Sequence, residues 1–404
     1  MMPKFIGYVF IGVSFVLLFV AIYGYMRPNV LVFSPLQVLS ATWYGYKKAY
    51  VEPDTFRTVD RQRADVTTSE GQSYTMLRAV WQADQTTFDG AWQWTEKNLA
   101  HEDDHLFSWL WGKREDGTYG VLTDESGQNA ASDADTDIAL ALLFAYARWQ
   151  DPAYLADARL IISDIWEREV ITIQGKPYLA ANDIEKNAVK RSVIVNPSYF
   201  NPAAYHIFAE VDIEHPWEEL RAQSYAVLEE SMAVPLDAAS TAHLPPDWIV
   251  VDKRSGDMAA LTSEGHDTHY GFDALRIPFR VALDAEWFRN PDALRVLDKL
   301  AFLSAKWQEE GRLASMYAHD GSVLTAEESP AMYGGAMGYF VTNDPEAAVS
   351  IYNKKLVSLY DPHIATWAMP LSYYADNWTW FGIALYNRQL PNLAAELPAT
   401  AFSK

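Results

Sequence analysis

Residues 131–149 read ASDADTDIALALLFAYARW, and the fold follows from how this stretch must sit. Three aspartates, Asp133, Asp135 and Asp137, open a run whose next turns, from Ile138 to Leu143, are wholly apolar. A helix that is apolar all round is a buried helix. Its acidic start therefore points into the interior or into a cleft. One carboxylate at a helix N-terminus is ordinary capping favoured by the dipole. Several side by side oppose one another's ionisation. The cluster thus reads as a functional site, as capping, or as a divalent-cation ligand set, although no glycine-bent loop of the EF-hand kind surrounds it.

Outward from this stretch the pattern stays helical. Apolar residues recur at helical spacing from about Ala41, in Tyr74–Gln82, Phe88–Leu99, Pro152–Arg168, Pro202–Glu210 and Pro216–Met232. They recur again in Asp284–Glu309, Pro345–Ser358, His363–Tyr374 and Trp378–Arg388. Lys176–Leu179 and Ile249–Val251 are the best short strands. Many helices joined by long Gly-, Asn-, Asp- and Pro-bearing loops imply an all-α domain, a closed ring of inner and outer helices. The loops gather at one end and build the site.

The chain has 404 residues, half of them apolar, with 15 Trp and 23 Tyr. That many flat rings suits a groove for a planar ligand such as a glycan. A formal charge of −21 excludes a nucleic-acid backbone as partner. The absence of cysteine excludes thiol chemistry, disulfides and Cys-type zinc sites. Residues 5–26, FIGYVFIGVSFVLLFVAIYGYM, are uncharged and long enough to span a bilayer as a helix. No A-x-A-like cleavage site closes the run. The expected organisation is a signal anchor over 1–27, a juxtamembrane segment over 28–40 and one domain over 41–404. That domain is expected outside the cytoplasm, held at the membrane, or secreted if the anchor is cleaved.

Four stretches carry chemistry. In Thr68-Ser69-Glu70-Gly71-Gln72-Ser73-Tyr74, Glu70 lies at the mouth of an apolar helix. Burial there raises a carboxyl pKa and suits a general acid; the alternative is a plain helix start with Ser69 as N-cap. The Asp133 cluster is the second. In Phe272-Asp273-Ala274-Leu275-Arg276, Asp273 and Arg276 share a helical face, as a base held ionised or as a structural ion pair. In Asn196-Pro197-Ser198-Tyr199-Phe200-Asn201-Pro202, two Asn-Pro steps fix a phenol in a loop. A fifth pattern, HEDDH at 101–105, fits the two-histidine zinc motif. It lies where an apolar helix has ended, so a loop is expected there and no metal.

These stretches resemble glycoside hydrolase family 8. The residues Ala131-Ser132-Asp133-Ala134-Asp135, then Ile138, Ala139, Ala141, Leu142, Leu143, Ala145 and Trp149, fit its signature. The SEGQ stretch, FDGAWQW at 88–94, NPSYF at 196–200, FDALR at 272–276 and Tyr373-Tyr374 follow in order. The resemblance implies an (α/α)6 barrel and inverting endo-hydrolysis of a β-1,4-glucan, cellulose-type or mixed-linkage, without cofactor or metal. It implies Glu70 as proton donor, Asp273 as base and Asp133 as the carboxylate that binds and distorts the sugar. Tyr199 is implied beside the nucleophilic water, Arg276 as the residue positioning the base, and Trp109 under a sugar ring. Asp135, Tyr373 and Tyr374 are expected against substrate. Asp376 stands where relatives usually carry Gln, which bears on one subsite. Xylan or chitosan oligosaccharides, or glycan binding without catalysis, are the competing expectations. A monomer is expected.

Overall fold

The computed structural model describes residues 34–261 and 266–397. The apolar run at 5–26 and the anchor built on it lie outside the described residues. Among the described residues no helix is long and apolar enough to cross a membrane.

Twelve helices form the frame. They are α1 Pro35–Tyr50, α2 Ser69–Trp81, α3 Gln85–Leu99, α4 Ser132–Trp149, α5 Pro152–Asp164 and α6 Pro202–Val211. The second half holds α7 Trp217–Ala233, α8 Arg276–Phe288, α9 Pro291–Lys299, α10 Pro330–Asn343, α11 Pro345–Ile351 and α12 Tyr373–Tyr386. The even-numbered helices close an inner ring: α2 packs on α4, α4 on α6, α6 on α8, α8 on α10, α10 on α12, and α12 back on α2. Each odd-numbered helix from α3 to α11 covers the inner helix that precedes it, and α1 covers α12, tying the two ends of the chain together.

Sequence explains which helix goes where. From Ser132 to Ala145 every residue of α4 is buried, as its apolar periphery requires. Outer helices keep a polar stripe and begin on strong stops: Asp151, Asn290 and Asp344 cap α5, α9 and α11, each followed by proline at the first helical position. The inner helix α10 carries glycine where it meets its neighbours. A Cβ on Gly334 would collide with the Trp378 carbonyl of α12, and one on Gly338 with the Pro278 carbonyl of α8. Only glycine lets these backbones approach so closely.

Short strands decorate the mouth of the ring. They are β1 Thr67–Thr68, β2 Leu110–Lys113, β3 Tyr119–Val121, β4 Val170–Ile173, β5 Lys176–Leu179, β6 Ser192–Val195, β7 Ile249–Asp252 and β8 Met258–Ala259. Both expected strands are present, as β5 and β7. The register matters for the site: Thr68 pairs with Leu110, and Val195 pairs with Ile249. The second pairing sets Asn196–Tyr199 beside Trp248.

Four helical expectations change. The pattern read as one helix over Asp284–Glu309 is broken. Asn290-Pro291 ends α8 and starts α9, because proline offers no N–H and Asn290 caps the new turn. Residues 363–372 are not helical; Tyr360–Asp361 and Thr366–Trp367 pair as a hairpin, and α12 begins only at Tyr373. Pro345–Ser358 is α-helical only to Ile351 and then passes into a π turn. The first described helix starts at Pro35 rather than Ala41.

Candidate active site

In a ring of alternating inner and outer helices, the inner helices run the same way and bring their N-termini to one mouth. The first turns of α2, α4 and α8 meet there on the side chain of Arg276, which is 1% exposed, and α12 adds Tyr373 against Glu70. Its Nη1 donates to Glu70 Oε2 at 3.0 Å and to Asp133 Oδ2 at 2.9 Å. Its Nη2 donates to Asp273 Oδ1. Ser198 Oγ accepts from Nε at 3.1 Å and from Nη2 at 2.7 Å. The Tyr199 ring lies 5.1 Å from the guanidinium carbon. Three carboxyls from three distant parts of the chain thus share one cation.

Glu70 is the second residue of α2. Thr68, not Ser69, caps the helix, accepting from the Gly71 N–H at 3.0 Å. Glu70 Oε1 accepts from the Tyr373 hydroxyl at 2.7 Å. Burial pushes the Glu70 carboxyl up to about 7; Arg276 pulls against that rise and the Asp133 charge adds to it. Asp133 is 3% exposed, and burial raises it too, with Arg276 and then Arg280 opposing.

Asp273 lies in the turn before α8 and is the more open carboxyl, its side chain 30% exposed. Trp248 donates its indole N–H to Asp273 Oδ2 at 2.9 Å. A cleft of about 360 Å³ opens beside it, lined by Asp60, Gln62, Phe272, Ser372, Tyr373 and Tyr374. Tyr374 donates its hydroxyl to the Phe272 carbonyl and so pins the turn that carries the base candidate. Trp109 borders the acid: its carbonyl accepts from the Ser69 N–H at 3.1 Å, and its indole donates to the Ser126 carbonyl at 3.0 Å.

The structure therefore brings together Glu70, Asp133, Asp273, Arg276, Tyr199, Tyr373 and Tyr374, with Trp109 alongside. It sets Asp135 apart, contrary to the expectation that it meets substrate. Asp135 is wholly buried, and its Oδ1 accepts from the Phe107 N–H at 3.1 Å within the ring wall. An i+2 residue on a helix faces away from its neighbour, so Asp133 and Asp135 cannot both face the mouth. Glu169, also wholly buried, is its neighbour; burial raises both carboxyls well above the usual range. Asp376 is likewise no subsite residue. It pairs with Arg78 at 3.0 Å and accepts from the Trp367 indole at 2.6 Å, both in the core.

HEDDH is a bend between α3 and β2, not a helix, so its histidines share no face. His101 meets Asp104 at 3.0 Å, and His105 meets Asp164 at 2.6 Å. Among the described residues no group of three or more His, Asp or Glu is arranged to hold a metal ion. At the mouth, the Arg276 guanidinium fills the place among the carboxylates that a cation would take.

Sequence reading passed over Ser198, Asp247 and Trp248. Ser198 stood inside a quoted motif without a role. Trp248 and Asp247 follow Pro245-Pro246 directly before β7, a polar–aromatic pair at a rigid strand entry; that was the available signal.

The chain matches glycosyl hydrolases family 8 over residues 19–373. It is 31% identical over 243 residues to an endoglucanase of Cellulomonas uda, across 59% of this chain and 62% of that protein. It is 32% identical over 277 residues to an endoglucanase of Escherichia coli (strain K12), across 67% of this chain and 68% of that protein. The matched region thus spans somewhat less than two thirds of the Cellulomonas uda relative. The fold aligns with the crystal structure of an endo-1,4-D-glucanase from Vibrio fischeri ES114, with TM-score 0.72 and 26% identity, covering 85% of this chain and 94% of that one.

Proposed function

The chain belongs to glycosyl hydrolases family 8, and from that premise we propose that it is an endoglucanase cleaving β-1,4-linked glucan with inversion, Glu70 acting as general acid and Asp273 as general base. One observation carries this reading: Arg276 holds two carboxyls with different further partners, Glu70 against the Tyr373 hydroxyl and Asp273 against the Trp248 indole beside the cleft. Burial raises Glu70 to about 7, which keeps a proton available at neutral pH. Asp273 opens onto the cleft and accepts from two N–H donors, as suits a carboxylate that draws a proton from water. An acid and a base from distant chain segments, brought to one mouth by a shared arginine, are the pair a single inverting displacement requires.

Asp133, buried beside Glu70, would stabilise positive charge developing at the anomeric carbon and favour a distorted ring. Tyr199 lies between Asp133 and Asp273 in this scheme, beside the attacking water. Trp109, Tyr373 and Tyr374 line the sugar path. The names of the similar proteins, endoglucanases, support a β-glucan substrate. The uncharged run 5–26 would tether the domain at a membrane surface, on the outer side; detergent-dependent release from a membrane fraction tests that.

The reaction is tested by following product anomers by NMR during hydrolysis of a soluble β-1,4-glucan. Inversion is expected, and retained configuration would refute the mechanism. Glu70→Gln and Asp273→Asn should each lower kcat by about 10³-fold or more. A wild-type rate in either variant removes that residue from its role.

A further inference from the structure

We propose that the consecutive residues Asp247 and Trp248 are the positioning device for the base, one fixing the backbone of its turn and the other the direction of its carboxylate. The inference rests on the reading of Asp273 as base. Asp247 is 9% exposed and enters the turn 271–274 from the strand side. A single oxygen, Oδ1, accepts from the N–H groups of Gly271 at 3.2 Å, Asp273 at 3.1 Å and Ala274 at 2.6 Å. These donors precede α8, where no carbonyl of a preceding turn is available to them. One side chain thereby fixes the backbone on both sides of Asp273.

Trp248 follows in sequence and completes the grip. Its indole N–H holds Asp273 Oδ2 at 2.9 Å while Arg276 holds Oδ1, so each oxygen has its own donor. The indole is itself wedged, 5.6 Å from the Tyr199 ring and 4.6 Å from the His266 ring. Its entry is fixed by the backbone: the Asp247 N–H donates to the His269 carbonyl at 2.7 Å and the Trp248 N–H to the Asp267 carbonyl at 2.9 Å. The close approach also explains Gly271: a Cβ there would sit 2.6 Å from Asp247 Oδ2. Neither residue needs to touch substrate. Asp247 sets where the base stands, and Trp248 sets which way its carboxylate points.

The two roles separate in kinetics. Asp247→Ala leaves three N–H groups without an acceptor and lets the turn shift; kcat should fall about 10²-fold with KM within about threefold. Asp247→Asn, which keeps an acceptor oxygen in place, should recover most of that loss. Trp248→Phe keeps the ring and removes the donor that aims the carboxylate; kcat should fall about tenfold with KM within about threefold. Asp273→Asn is run beside them. If it keeps full activity, the base assignment itself fails. If it is inactive, the positioning role is overturned by a wild-type kcat in folded Asp247→Ala, or by a wild-type kcat in Trp248→Phe. Should Asp247→Ala fail to fold, the kcat of Trp248→Phe alone decides.

Discussion

Arg276 and Arg280 lie one turn apart on α8, and they face Asp133 and Asp137, one turn apart on α4. The two pairs make two rungs across the ring. On the lower rung Arg280 grips Asp137 with two bonds of 2.7 and 2.8 Å, and Asn201 adds a third donor at 3.0 Å. Charge there is balanced, one cation to one carboxylate, in a space closed by Tyr74, Leu140 and Phe279. On the upper rung the same cation type meets three carboxyls, Glu70, Asp133 and Asp273. One guanidinium cannot neutralise three acids. Burial, with the Asp133 charge adding to it against the pull of Arg276, raises Glu70 to about 7, and Glu70 is the acid that keeps a proton. The same pairing is thus structural where charges match and chemical where they do not.

The largest test breaks the upper rung. Arg276→Met leaves three acids without their shared counterion and frees Asp273 from one of its two donors. We expect kcat to fall about 10³-fold or more, measured per folded molecule on a soluble glucan. Arg276→Lys restores charge but not the planar fork that serves three acceptors and Ser198, so it should recover only part of the loss. Equal activity losses for changes at Arg276 and Arg280 would abolish the distinction between the rungs.

The lower rung should answer in stability instead. Arg280→Met strands the buried Asp137 carboxylate and should destabilise the fold by about 3–5 kcal/mol, read by urea or thermal melting. Folded material should keep kcat within about fivefold, since Arg280 reaches the site only through its charge on Asp133. Combining it with Asp137→Leu removes the stranded charge and should return most of the lost stability. On the upper rung the matching double change, Arg276→Met with Asp133→Leu, should restore folding without restoring turnover.

How far this difference was legible in the sequence depends on the element. The i to i+4 spacing of Asp133 and Asp137, in a helix with no polar face, foretold that acids would be buried. It did not say that α8 would supply a matching pair of arginines, because that requires the ring to close. The ring itself was readable from helical periodicity. Its breaks were not, since Pro291 sits inside an apolar pattern that a continuous helix explains equally well. Glu70, Asp273 and Arg276 stood in short motifs that the residues alone left open as a helix start and an ion pair, and the family resemblance supplied their roles. Trp248 and Asp247 did not, because their partners arrive through backbone pairing with the chain at 267–269, and the Trp248–Asp273 bond spans 25 residues. Asp135 misled because adjacency in a motif is not adjacency on a helix face.

The smallest effect probes how finely the upper rung is set. The Tyr373 hydroxyl donates to Glu70, a bond that favours the ionised acid and therefore opposes the rise caused by burial. Tyr373→Phe removes that opposition. Glu70 should then hold its proton to higher pH, and the high-pH limb of kcat/KM should move up by as much as about one pH unit, with kcat lowered about tenfold or less. Stability has the same sign. An acid raised from 4.5 to about 7 contributes stability that is whole below the lower value and is lost as pH climbs through the upper one. In Tyr373→Phe that loss should begin at the same pH but run on to higher pH, and in Glu70→Gln it should vanish from the melting profile. A limb that moves downward in Tyr373→Phe would mean that the phenol steadies the protonated acid rather than its anion, and the upper rung would then be tuned by burial and Arg276 alone.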